Sequence, residues 1–180
     1  MNRSGSAGPA LPLESVWDYP RPPRVESFTA PVTVELGGQV IASTRQCWRV
    51  LETSHPPTYY LPRHAFADGA LRRAGGSSWC EWKGRATYYD LVGGGIVAPK
   101  AAWSYLNPTP GFESIAGAVA IMAAAVDRCT VNGEVVVPQP GGFYGGWITS
   151  WVSGPSKAFR GRRGGDRRRH RRPISVGQRG

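Results

Sequence analysis

Val32 to Thr44 reads VTVELGGQVIAST, two runs rich in β-branched residues that meet at Gly37-Gly38. Two glycines between such runs predict a tight hairpin, because both turn positions need a positive φ that glycine adopts freely. Cys47 to Thr53 (CWRVLET) continues as a strand, and Thr58 to Pro62 (TYYLP) as a short extended piece after the Pro56-Pro57 break. Further along, Gly93 to Gly95 predicts another reversal, and Asn132-Gly133 is the strongest short hairpin signal in the chain. Lys83-Gly84, between SSWCEW and RATYYDLV, reads as a two-residue turn.

Helix signals are few. Residues Arg63 to Ala74 have room for one or two helical turns before Gly75-Gly76. Thr109-Pro110-Gly111-Phe112-Glu113 has the pattern of a short helix start, with Thr109 as N-cap and Pro110 in the first turn. Ile115 to Val126 fits helix or buried strand, and the surrounding hairpins favour strand for its middle. Four prolines within Glu14 to Pro31 argue against a long helix or a central strand there. That segment is expected to lie extended, with Trp17, Tyr19 and Phe28 packed on the domain. The fold class expected is mostly β: one compact domain of short antiparallel hairpins with one or two short helices.

Composition sets the outer bounds. At 180 residues, with 41% hydrophobic residues, the chain suits a single domain with a real core. Gly and Pro together are 40 residues, which calls for many turns and short elements. No run of about twenty apolar residues occurs, so no membrane span is expected. The opening MNRSGSAGPALPL is too polar for a secretion signal. Three cysteines without C-x-x-C spacing suit a reducing cytoplasm and suit a Cys-rich zinc site poorly. The expectation is a cytoplasmic domain with no metal and no cofactor.

The net charge of +10 is unevenly placed. Residues 156–180 carry ten Lys or Arg against the single Asp166, and the other 155 residues hold twelve bases and eleven acids. A run such as RGRRGGDRRRHRR has no apolar area to bury, so a disordered basic tail is expected over 156–180. A disordered leader is expected over 1–13 and the β domain over 14–155. The tail from Lys157 to Arg179 would bind polyanions weakly and with strong salt dependence. A solvated tail without function, or GC-rich message translated out of frame, gives the same composition.

Three clusters bear chemistry. In Trp79 to Tyr89, a turn at Lys83-Gly84 pairs Trp82 with Arg85, Cys80 with Thr87 and Trp79 with Tyr88. Alternation then puts Cys80, Trp82, Arg85, Thr87 and Tyr89 on one face. Lys83 and Arg85 would favour a Cys80 thiolate, against the alternative that Cys80 is a small apolar filler. The second cluster, Glu52 to His64, gathers Glu52, His55, Tyr60, Arg63 and His64 on a proline-stiffened loop. Its alternatives are acid–base work by a Glu–His pair and an ordinary surface loop. In the third, Trp103 and Tyr105 share a strand face that lines a pocket or fills a core.

ESVWDYPRPP, RVLETSHPPTYYLP, SSWCEWKGRATYYDL, AAWSY followed by PTPGFE, and VVPQPGGFYGGWITS together resemble the bacterial and fungal family called domain of unknown function 427. The resemblance covers roughly residues 14–155, with Cys80-Glu81-Trp82-Lys83-Gly84 and Ala102-Trp103-Ser104-Tyr105 as its signatures. It implies a β-tent fold similar to methionine-R-sulfoxide reductases, and no activity. The chain departs from the family's pattern at His64, Leu106, Ile121-Met122 and Ser156, where an acid, Pro, Phe-Tyr and Phe are usual.

These readings converge on a small-molecule-binding domain, a binder or an enzyme, with aromatic walls from Tyr60, Trp82, Tyr89, Trp103 and Tyr105. Lys83 or Arg85 would hold an anionic group. Glu52 would act as acceptor or base, and Cys80 as nucleophile or wall. The competing readings are a structural or protein-interaction module whose aromatics are core, and nucleic-acid binding through the tail.

Overall fold

The computed structural model describes residues 8–142 and 144–154. The Arg-rich run over 156–180 and the first seven residues lie outside the described residues, and with them the tail's expected disorder and polyanion binding. Among the described residues there are thirteen strands: β1 (Glu14–Ser15), β2 (Arg24–Leu36), β3 (Gln39–Leu51), β4 (Thr58–Leu61), β5 (Leu71–Cys80), β6 (Gly84–Gly93), β7 (Ile96–Tyr105), β8 (Val119–Ile121), β9 (Arg128–Val131), β10 (Glu134–Val135), β11 (Val137–Pro138), β12 (Trp147–Ile148) and β13 (Val152–Ser153). Nine form one antiparallel sheet in the order β10-β9-β2-β3-β4-β8-β7-β6-β5. Two meanders, β2-β3-β4 and β5-β6-β7-β8, join where Tyr60 pairs with Ala120.

The mostly-β reading holds, and so do its clearest turns. Leu36 pairs with Gln39 around Gly37-Gly38, and Val131 with Glu134 around Asn132-Gly133. The middle of Ile115 to Val126 is strand β8. Along β2 every second residue from Phe28 to Leu36 is buried, the period-2 signature of a strand with one face on a core.

The sheet folds over so that the β2–β3 turn meets the β6–β7 turn backbone to backbone. A Cβ on Gly94, at φ +54, would stand 1.8 Å from the Gly37 carbonyl oxygen. Glycine is required there by both sterics and backbone conformation.

Four expectations need correction. β2 starts at Arg24 rather than Val32 and carries Pro31 within it. Its register with β3 shifts between Thr29 and Val32, a bulge that accommodates a residue with no N–H for the ladder. Arg63–Ala65 is a single 3₁₀ turn, and β5 runs through Gly75-Gly76 with a register shift between Arg73 and Ser77. No helix starts at Thr109; its hydroxyl donates to the Trp82 carbonyl, and the only helical turn there is 3₁₀ at Glu113–Ile115. The β5–β6 loop is Glu81-Trp82-Lys83, so Cys80 pairs with Gly84, Trp79 with Arg85, Ser78 with Ala86 and Ser77 with Thr87. The expected Cys80–Thr87 and Trp79–Tyr88 pairs do not form, because Gly84 at φ +92 opens β6 instead of sitting in the turn.

Two apolar clusters occupy opposite faces of the sheet. The larger includes Phe28, Val32, Val34, Tyr59, Leu61, Tyr89, Leu91, Val119, Ile121 and Trp147. The smaller includes Val50, Tyr60, Ala86, Tyr105, Phe112, Ile115 and Ala120. Neighbours Tyr59 and Tyr60 therefore serve different faces, and the second face carries the cleft described next.

Candidate functional site

Several parts of the chain wall a cleft of about 590 Å³ on the second face, with Arg21 and Met122 among its lining residues. Val50 lies near the end of β3 and Glu52 just after it, and His55, Pro56, Thr58 and Tyr60 follow through the proline loop into β4. Ser78, Cys80, Lys83, Ala86 and Tyr88 come from the β5–β6 hairpin, and Trp103 and Tyr105 from β7. Gln139, Tyr144 and Gly145, between β11 and β12, close the far side.

The floor is aromatic and hydrogen-bonded. Tyr60 is buried, and its ring centroid lies 6.4 Å from that of Tyr105. Burial pushes the Tyr60 hydroxyl above the ordinary phenol range, opposed by its hydrogen bond with Trp103. Burial raises Tyr105 as well, reinforced by Tyr60 and by a hydrogen bond between the Tyr105 hydroxyl and Cys80. Both phenols therefore keep their protons at neutral pH and serve as hydrogen-bonding groups, not as bases. Ser78 Oγ and the Tyr88 hydroxyl lie 2.6 Å apart on the adjoining wall.

Charge sits at the rim. Lys83 Nζ stands 5.7 Å from the Tyr105 ring centroid. Its loop is braced from behind by Thr109, whose hydroxyl donates to Trp82 O and whose N–H donates to Lys83 O at 3.2 Å. Glu52 accepts from Arg21 at 3.0 Å, and both groups are partly exposed. His55 Nδ1 donates to the Thr53 carbonyl at 3.1 Å, and its ring packs 5.2 Å from that of Tyr144. Gly145 lies flat on Trp103, since a Cβ there would stand 2.2 Å from the indole. Among the described residues no group of three or more His, Cys, Asp or Glu could hold a metal ion. No helix among them is long and apolar enough to cross a membrane.

The segment supplying most of these groups is also the one that comparison with known proteins singles out. The profile of the family described as a domain of unknown function (DUF427) matches residues 24–132, more than half of the chain. The chain belongs to the DUF427 family. No curated protein matches it. The DUF427 match takes in the β2 to β9 strands and the hairpin, β4 and β7 contributions to the cleft; Arg21, Gln139, Tyr144 and Gly145 lie outside it.

Of the residues singled out from sequence, Glu52, Tyr60, Cys80, Lys83, Trp103 and Tyr105 meet in the cleft. Three others do not line it. Arg85 is exposed on the opposite face of the hairpin, lining a separate hollow. Tyr89 belongs to the larger core, with the Arg63 guanidinium 4.7 Å from its ring centroid. Trp82 is half-buried against the smaller cluster. The shorter loop assumed at Lys83-Gly84 accounts for Arg85 and Tyr89, because a one-residue slip exchanges the faces of a strand. Tyr88 and Ser78 take their places, and the same slip hid them. Gly145 and Tyr144 reach the cleft by tertiary packing that leaves no local signal.

The other two cysteines stand apart. Cys47 and Cys129 are buried, and burial pushes each thiol up to about 12. Only Cys80, half-buried, faces the cleft.

Proposed function

We propose that this DUF427 domain binds a small polar molecule with a flat or apolar face in the cleft between the β5–β6 hairpin and the proline loop. The reading rests on one observation: six polar or aromatic residues, from the loop after β3, β4, β7 and the hairpin, converge on one hollow of about 590 Å³. That volume is in the range of ligand pockets, which combine apolar walls with a few placed polar groups. Trp103 and Tyr105 give the ligand's flat face a surface, and the hydroxyls of Tyr60, Tyr88 and Ser78 give it hydrogen bonds. Lys83, held by the Thr109 brace, attracts an anionic substituent.

Cys80 belongs to the wall in this reading. Its neighbour, the Tyr105 hydroxyl, keeps its own proton at neutral pH and so offers no base. Glu52 is engaged by Arg21 and acts as a rim acceptor; work as a base would first require that pair to open.

A thermal-shift screen of the chain against nucleotides, sugars, amino acids and acyl conjugates tests the proposal, because a ligand of the native state raises apparent stability. The expected result is one chemical class that raises Tm in the natural chain and loses at least half of the rise in Lys83→Ala. A screen without a concentration-dependent shift would leave the aromatic floor as core and favour a structural module.

A further inference from the structure

The β5–β6 hairpin carries a second concavity on its other face. Ser78, Ala86 and Tyr88 face the cleft, whereas Ser77, Arg85 and Thr87 line a hollow of about 200 Å³ together with Arg73, Gly76 and Asn107. Each of its polar side chains can donate. Two guanidiniums, two hydroxyls and an amide point to an anion, and no carboxylate is among the lining residues.

The surroundings add positive charge. Lys100 Nζ lies 3.4 Å from where a Cβ on Gly76 would stand, so the bare glycine in the β5 irregularity lets the ammonium approach. Arg63 sits over Tyr89, the residue that Arg73 pairs with across the strands. The nearby acid, Asp90, is committed: it accepts from Arg72 at 3.1 Å and from the Lys100 backbone N–H at 2.9 Å. Among the described residues Arg73, Arg85 and Lys100 form no ion pair. Two arginines lining one hollow without a counter-charge repel each other, and an oxyanion held between them reverses the sign of that interaction.

We propose that this hollow is an oxyanion site that takes the phosphate of a small phosphorylated molecule, gripped by Arg73 and Arg85 with Ser77, Thr87 and Asn107 as further donors. Guanidinium forks match phosphate geometry and bind it by paired hydrogen bonds. The hollow is below the usual size for whole drug-sized ligands, about 300 Å³ and upward, and suits a terminal phosphate or pyrophosphate. It is separate from the cleft, so neither proposal depends on the other.

The test is a titration of the ¹⁵N-labelled full chain with pyrophosphate at fixed ionic strength, followed by NMR. Saturable shifts at the amides of Gly76, Ser77 and Thr87 are expected. The double variant Arg73→Gln/Arg85→Gln should bind at least tenfold more weakly, and Thr87→Val a few-fold more weakly. All variants keep the Arg-rich segment, so its contribution is constant. Shifts that do not saturate, shifts confined to residues 156–180, or unchanged affinity in the double variant would overturn the proposal. A short oligothymidylate provides the second arm. Failure to displace pyrophosphate supports a small phosphorylated ligand; displacement with the same amide shifts would assign the phosphate to a nucleic-acid backbone and overturn it.

Discussion

Cys80 pairs with Gly84 across the β5–β6 hairpin, and this register sends its thiol to the side of the sheet where the Tyr105 hydroxyl stands. The register gives the hairpin two chemically distinct faces, with Tyr88 and Ser78 toward the cleft and Arg85 and Thr87 toward the basic hollow.

Iodoacetamide should label one thiol of the native chain, Cys80, because Cys47 and Cys129 are buried. Peptide mapping after native and denatured labelling reads this directly. Labelling of Cys80 should be no faster than that of a thiol in the unfolded chain. Faster labelling would restore the nucleophile role.

Alkaline pH should destabilise the protein through Cys47 and Cys129. Their folded thiols are pushed up to about 12, whereas an unfolded thiol ionises near its ordinary value of about 8.5. The stabilisation is fully present below that unfolded value and is lost as pH rises toward the folded one. Between the two values the slope approaches about 1.4 kcal/mol per pH unit for each thiol. Urea unfolding at pH 7, 8 and 10.5 should show little change between the first two and a marked drop at the third. A flat profile to pH 10.5 would contradict the burial of both thiols.

Gly94→Ala should destabilise by about 3 kcal/mol, combining a left-handed backbone penalty with a clash against Gly37. Gly95→Ala is the control. Its φ is +77 with open space around it, so only the backbone penalty of about 1 kcal/mol applies. Equal losses in the two variants would mean that the turns do not touch.

Arg49→Met tests the cluster that fixes the start of the domain. The buried guanidinium takes Nη2 to Glu14 at 2.9 Å and Nε to Glu26 at 3.0 Å, and stacks 4.8 Å from the Phe28 ring centroid. Tyr19 donates to the same Glu14 at 2.6 Å. Methionine keeps the apolar contact but leaves two carboxylates facing each other, so a loss of about 2 kcal/mol is expected from denaturant unfolding, less than for a fully buried pair because both carboxylates are partly exposed. Adding Glu14→Gln and Glu26→Gln should recover part of it.

How much of this could be read from sequence depended on whether the turns were local. Gly37-Gly38 and Asn132-Gly133 declare themselves because two adjacent positive-φ residues define the hairpin. Lys83-Gly84 imitates that pattern, but its loop is three residues long and is set by Thr109, 27 residues beyond Trp82 in the chain, bonding to Trp82 and Lys83. From the slip followed the exchange of Tyr89 for Tyr88 and the loss of Arg85 from the cleft. Tyr60, Trp103 and Tyr105 were found because they lie on strands whose phase was right. Pro31 concealed the first half of β2, since a proline at a bulge resembles a strand break.

Protection of Cys80 from alkylation by a compound that raises Tm tests the binding proposal most directly, because Cys80 lines the cleft and is not among the residues that line the basic hollow. A ligand in the cleft should slow labelling of Cys80 at least tenfold at saturation in the natural chain, and also in the Arg73→Gln/Arg85→Gln variant. A compound that stabilises the fold yet leaves the labelling rate of Cys80 unchanged would place binding elsewhere and contradict the account.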